Sequence, residues 1–178
     1  MENKIMDDKE KYKIAFRLSA GASCGLSFID DYLYNNEETD LAYIRSIYML
    51  LSYNVELLLK SRVVMLKSFL NKDKLKNKLT NLSHNLIKIK KELGSCELLK
   101  IGIKEITKSD TQYIIKTINN TKIKIEDFTE IRYDYLFGKM RNISGYEHKE
   151  IKKYTKDLLT ILKSVKRYNE ETIKTVKK

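Results

Sequence analysis

Apolar residues recur every three or four positions along most of this chain, and no proline interrupts them. That combination favours helices over sheets before any other property is considered. The first stripe runs Ile14, Leu18, Ala22, Leu26, Ile29, Leu33, and the polar stretch from Asn35 to Asp40 ends it, with Thr39 or Asp40 as the next N-cap. The second runs Ile44, Ile47, Tyr48, Leu51, Val55, Leu58, Leu59, Val63, Leu66 and predicts a long central helix. Asn71 to Lys78 reads as a solvated connection, followed by a shorter helix through Leu82, Leu86, Ile89 and Leu93 that stops near Gly94. Ser109 and Gln112 have capping-box spacing, which predicts a short helix carrying Ile114, Ile115 and Ile118. A further helix is expected from about Glu126, through Phe128, Ile131 and Tyr135, to Gly138. The last begins near Tyr146 and carries Ile151, Tyr154, Leu158, Ile161, Leu162 and Val165 under a lysine-rich outer face, with a tail prone to fraying.

The expected fold is therefore all-α, a single helical bundle of four to six helices over residues 1–178. No proline- or glycine-rich linker divides it and no fixed-period repeat is visible. The segment 98–125 is the exception: β-branched residues alternate with lysines over Leu98 to Ile106 and Thr121 to Ile125, so a short hairpin competes with helix there. A chain of 178 residues can hold a core without disulfides or structural metal, and Cys24 and Cys96 lack any pairing or zinc motif, so they are expected to be packing residues. No apolar run is long enough to span a bilayer and the first residues are charged, so the expectation is a cytoplasmic protein with no membrane contact.

The net charge of +11 is unevenly spread. Residues 60–91 carry ten basic groups against Asp73 alone, residues 149–178 carry ten against four acidic ones, and residues 1–59 are net acidic. Two basic surfaces of this kind concentrate polyanions, and RNA is the expected partner. Of the 35 basic residues 29 are lysine, a side chain that suits non-specific phosphate contact better than base reading. Within the stretch Tyr53 to Lys60 of the central helix, Asn54, Glu56 and Lys60 interrupt an otherwise apolar run. Glu56 and Lys60, four apart, share a face. With His84 from Ser83-His84-Asn85-Leu86, and Arg132 and Tyr133 from Phe128-Thr129-Glu130-Ile131-Arg132-Tyr133-Asp134-Tyr135, they can form one polar cluster inside the bundle. Such a cluster either fixes helix register or lines an anion or nucleotide pocket.

These three segments, in this order, resemble the HEPN superfamily, in members with N-x-E-L-L-L-K, then H-x-L, then F-x-x-x-R-Y-x-Y. The resemblance spans about Ser52 to Phe137. Ser83 stands where such members usually have glycine, and Leu136 where an acidic residue often follows the tyrosine. The resemblance implies an all-helical bundle, frequent homodimerisation, and work on or near RNA in defence, toxin or stress systems, with an antitoxin or other protein as a further partner. Its catalytic members share an R-x(4 to 6)-H motif, often with a polar residue after the arginine. One match is present: Arg141, followed by Asn142, with His148 beyond six intervening residues. In that reading Arg141 holds the phosphate, His148 is the acid or base, and Asn142 orients one of them, giving metal-independent cleavage of RNA. Gly145 lies between the two and can separate them onto different elements. Many members of the superfamily are noncatalytic binding modules, so the alternatives are a ribonuclease, a module that binds nucleotide, RNA or protein, and a plain interaction protein. No cofactor is expected: the chain has no phosphate-binding glycine loop, and two histidines are too few for a typical transition-metal site.

Overall fold

The computed structural model describes residues 5–37, 41–67, 71–129 and 147–176. Within these residues five helices and three strands follow one another: α1 (Asp8–Asn35), α2 (Leu41–Leu66), α3 (Lys72–Leu82), α4 (Leu86–Lys100), β1 (Ile103–Ser109), β2 (Gln112–Thr117), β3 (Lys122–Glu126) and α5 (Glu147–Val176). The fold is predominantly helical, as the apolar spacing demands, but the three strands form an antiparallel sheet and the all-α expectation is corrected to that extent.

The three long helices behave as their stripes require. Ala22, Leu26, Ile29 and Leu33 of α1 are fully buried, as are Leu51, Leu59 and Val63 of α2 and Ile151 and Val165 of α5. They pack with the buried faces of α4 and the sheet into one core. Tyr48 and Tyr154 belong to it, as their places on the stripes predict. Gly25 of α1 marks a close approach to α2, because a Cβ there would lie 2.3 Å from the side-chain amide of Asn54. A second, smaller core holds Met6, Ala15, Val64, Met65 and Leu75 beneath the first turns of α1 and α3.

Three local expectations fail for identifiable reasons. The stretch 71–78 is not a solvated connection, because Asn71 caps α3 by accepting a hydrogen bond from the Lys74 amide at 2.9 Å, and Leu75 anchors the helix in the smaller core. At Gly94 the helix kinks rather than stops: the residue takes φ 77° and α4 resumes to Lys100. Ser109 and Gln112 are not a capping box but the facing residues that close the β1–β2 hairpin, with Asp110 at φ 50° in the turn. The decisive periodicity there is two: Tyr113, Ile115 and Thr117 of β2 are buried with Ile123 and Ile125 of β3, while Lys122 and Lys124, which alternate with the two isoleucines, point to water. The alternation over Thr121 to Ile125 falls on β3, whereas that over Leu98 to Ile106 meets β1 only from Ile103, because Leu98 to Lys100 end α4; β2 lies between the two strands.

Asp127 ends the sheet by accepting from both the backbone amide and the hydroxyl of Thr129, and the helix expected around Phe128, Ile131 and Tyr135 is described only at Phe128 and Thr129. Cys24 and Cys96 are both exposed, contrary to the expectation that they pack inside, because each falls on the outward side of its helix. Among the described residues no helix is long and apolar enough to cross a membrane.

Candidate functional site

Where α2 passes the α3–α4 connection, Glu56 is 4% exposed and both of its carboxylate oxygens are engaged. One accepts from Lys60 Nζ at 2.7 Å, the i,i+4 pairing expected of this face. The other lies 2.6 Å from His84 Nδ1. With a carboxylate oxygen as the acceptor, Nδ1 is the ring nitrogen that donates, which leaves Nε2 for a ligand. His84 is positioned by the sharp reversal between α3 and α4. Ser83 takes φ 47° and ψ −141°, and Asn85 caps α4 by accepting from the Lys88 amide at 3.0 Å. The imidazole also packs against Phe128, with ring centroids 4.5 Å apart, and Phe128 in turn meets Tyr53 at 6.3 Å. Three elements distant in sequence therefore hold one histidine between a carboxylate and an aromatic ring.

This cluster opens onto a groove of about 550 Å³ between α1, α2 and α3. Its wall is apolar, with Leu18, Leu57, Leu75 and Leu79. Its rim carries Tyr53 and His84 together with Lys60, Lys72 and Lys76. Glu56 offsets Lys60, so the positive character comes from the exposed Lys72 and Lys76, the former in a loose surface pair with Glu10 at 3.1 Å. A hollow of this size with an apolar wall and a few convergent polar groups matches the usual form of a small-ligand site. Comparison of the chain with models of known families, with curated proteins and with solved structures returned no match.

The structure thus brings together Glu56, Lys60 and His84 from the expected polar cluster. Arg132 and Tyr133 lie outside the described residues, as do Arg141 and Asn142 of the R-x6-H motif. His148 sits half-buried in the first turn of α5. Among the described residues no group of three or more histidine, cysteine or acidic side chains is placed to hold a metal ion.

Sequence reasoning missed a second buried polar network, centred on Arg62. Its guanidinium donates to Glu97 of α4 at 2.9 and 3.1 Å, and to the Tyr168 carbonyl, Asn169 and Thr172 of α5 at 3.1–3.3 Å. Asn169 also donates to Ser61 at 2.8 Å. Burial alone would raise the Glu97 pKa, but hydrogen bonds from Lys100 and Arg62 outweigh it and hold the carboxyl below its ordinary range. Every donor of this arginine that the network uses is spent on holding α2, α4 and α5 together, which marks it as structural rather than ligand-binding. The signal was present as an arginine between the apolar runs Leu57-Leu58-Leu59 and Val63-Val64-Met65-Leu66, where a charge survives only with partners.

Proposed function

We propose that this protein is a HEPN-like, RNA-associated module that receives a phosphate-bearing nucleotide unit in the groove beside His84. The observation that carries the reading is the meeting, in one hollow, of an apolar wall, two rim rings and the exposed cations of Lys72 and Lys76. A ribonucleotide asks for those three features: a surface for the base, an oriented hydrogen-bonding group, and cations for the phosphate. The buried Glu56 carboxylate serves the site indirectly by fixing the imidazole and the Lys60 ammonium. By the same resemblance such a module would serve a defence, toxin or stress system, alongside an antitoxin or other protein partner.

The test is fluorescence anisotropy of a labelled single-stranded RNA titrated with protein across a salt series. Lys72→Glu/Lys76→Glu should weaken binding at low salt by more than about tenfold and flatten the salt dependence. Lys122→Glu/Lys124→Glu, which changes the same charge on the exposed face of β3, should weaken it far less. Equal losses from the two pairs would reduce the interaction to general electrostatics and remove the groove as the site.

A second reading is metal-independent cleavage by Arg141, Asn142 and His148. What favours it is the place of His148, partly accessible at the start of α5 and joined directly to the segment that carries the other two. Cleavage of a mixed RNA pool in EDTA by the wild type, and not by His148→Ala, would establish it. Silence from the wild type would leave the groove as a binding site alone.

A further inference from the structure

Where α5 passes the β2–β3 turn, the fold encloses a cavity of about 110 Å³. Asp157, Thr160 and Ser164 line it from one side of α5, spaced three and four residues apart, and Thr117, Asn119 and Thr121 line it from the end of β2 and the turn. Asp157 Oδ2 is buried there with no hydrogen-bond partner among the described residues. Lys153, one turn back on α5, acts on that carboxylate only through space.

The hydroxyls beside Asp157 have already committed their protons. Thr160 donates to the Lys156 carbonyl at 3.1 Å, and Ser164 to the Thr160 carbonyl at 3.4 Å. Each hydroxyl has one proton to give, so toward the cavity both oxygens can only accept. Thr117 is occupied with the turn, its Oγ1 accepting from the Thr121 amide at 3.2 Å. A carboxylate flanked by accepting oxygens attracts a cation, and a buried charge ordinarily has an ionic partner or a metal ion beside it.

Charge and volume select among cations. The single carboxylate balances one positive charge. A water takes up about 30 Å³ of liquid, so the cavity has room for about three bodies of that size. Mg²⁺ keeps several waters in an octahedral shell, and Ca²⁺ takes about six to eight oxygen ligands with carboxylates among them, which is more than this volume and this one carboxylate supply. A monovalent ion with one or two waters meets both limits. We propose that this cavity binds a small monovalent cation, Na⁺ or K⁺, between the oxygens of α5 and those of the β2–β3 turn, so that the ion fastens the sheet to α5. The cavity shares no lining residue with the groove beside His84 and does not depend on the function proposed for it.

The experiment is thermal melting of the full chain at pH 7 while Na⁺ or K⁺ replaces N-methyl-D-glucamine, a cation too large for the cavity, at constant chloride and ionic strength. The melting temperature of the wild type should rise by at least about 2 °C and saturate, as binding to the folded state alone requires. Asp157→Asn, which carries no buried charge, should melt above the wild type in N-methyl-D-glucamine and stay level as the small cation is added, so the gap narrows from the wild-type side. Ser164→Ala keeps the carboxylate but removes one neutral oxygen, and should raise the half-saturating concentration at least about threefold. Hydrogen exchange at the amides of the β2–β3 turn should slow with the same midpoint as the wild-type melts. Equal melting of the wild type in small and large cations overturns the proposal and leaves the carboxylate to water. A rise that persists in Asp157→Asn places the ion elsewhere and overturns it too, and stabilisation by millimolar Ca²⁺ that this variant loses would overturn the assignment to a monovalent ion.

Discussion

Ser83 carries a backbone conformation that its side chain opposes. Its φ of 47° with ψ of −141° matches the first central position of a type II′ turn, which glycine enters freely and other residues at a cost. The reversal it makes brings His84 under α2 to meet Glu56, so the strain sits where the candidate site is assembled. Ser83→Gly should relieve the strain while adding freedom to the unfolded chain, for a net gain of about 1 kcal/mol. A gain of that size moves the melting temperature of a domain this large by about 2–4 °C. Ser83→Val, with a branched Cβ, should lower stability by about 1–2 kcal/mol. Urea denaturation of the three proteins checks both signs, and a valine variant as stable as the glycine variant would show that the turn is not strained.

Between elements the informative contact is Gly25 against Asn54. In an isolated helix, glycine to alanine is stabilising by about 1 kcal/mol. Here the added Cβ would fall 2.3 Å from the Asn54 amide, and overpacking of that kind costs about 1–3 kcal/mol. Gly25→Ala should therefore destabilise on balance, reversing the sign expected of an isolated helix. Asn54 is 2% exposed and its Nδ2 has no hydrogen-bond partner, so Asn54→Ala removes an unsatisfied group as well as the clash. The double variant Gly25→Ala/Asn54→Ala should recover most of the loss. A melting temperature for Gly25→Ala above that of the wild type would show that the helices are not in contact there.

The same contrast explains what was legible in the sequence. α1, α2 and α5 announce themselves because their buried residues recur at helical spacing over 26 to 30 residues. The sheet was only half visible. In β2 the adjacent Ile114 and Ile115 satisfy either period, and Ser109 and Gln112 fit a cap as well as a hairpin closure. Local spacing cannot decide between them, whereas pairing with β1 and β3 does. Glu56 and Lys60 were legible as one face of one helix, and His84 as a polar residue of the next helical segment that could pack beside them. The groove was not, because it depends on α3, whose apolar anchors Leu75 and Leu79 are sparse among lysines.

At the scale of the whole molecule, four carboxyl groups among the described residues bear on the response to pH, and one of them opposes the rest. Burial would raise the Glu92 pKa, but hydrogen bonds from Lys67 and Lys78 prevail and lower it, joining the end of α2 to α3 and α4. Glu97 is lowered in the same way by Lys100 and Arg62, and Asp127, against its own burial, by Thr129 and Lys108. Each contributes stability that is present above its unfolded pKa, about 4.3 for glutamate and 3.9 for aspartate. That stability is lost as pH falls through the lower folded value, so the wild type should weaken below about pH 4. Asp157, on α5 opposite the β2–β3 turn, runs the other way. Burial raises its pKa, with Lys153 only partly offsetting it, and its Oδ2 is buried without a partner. A raised carboxyl favours folding fully only below its unfolded pKa, and that contribution is gone once the pH has risen through the folded one. At pH 7 the folded chain therefore bears the cost of a poorly solvated charge. Asp157→Asn should be more stable than the wild type at pH 7 by up to about 1 kcal/mol, discounted for the carboxyl's partial exposure. The advantage should shrink as pH falls and vanish near pH 3, while both proteins lose stability through Glu92, Glu97 and Asp127. Thermal melts of the pair from pH 7 to pH 3 read this directly: a constant offset would place the effect in packing rather than in the charge.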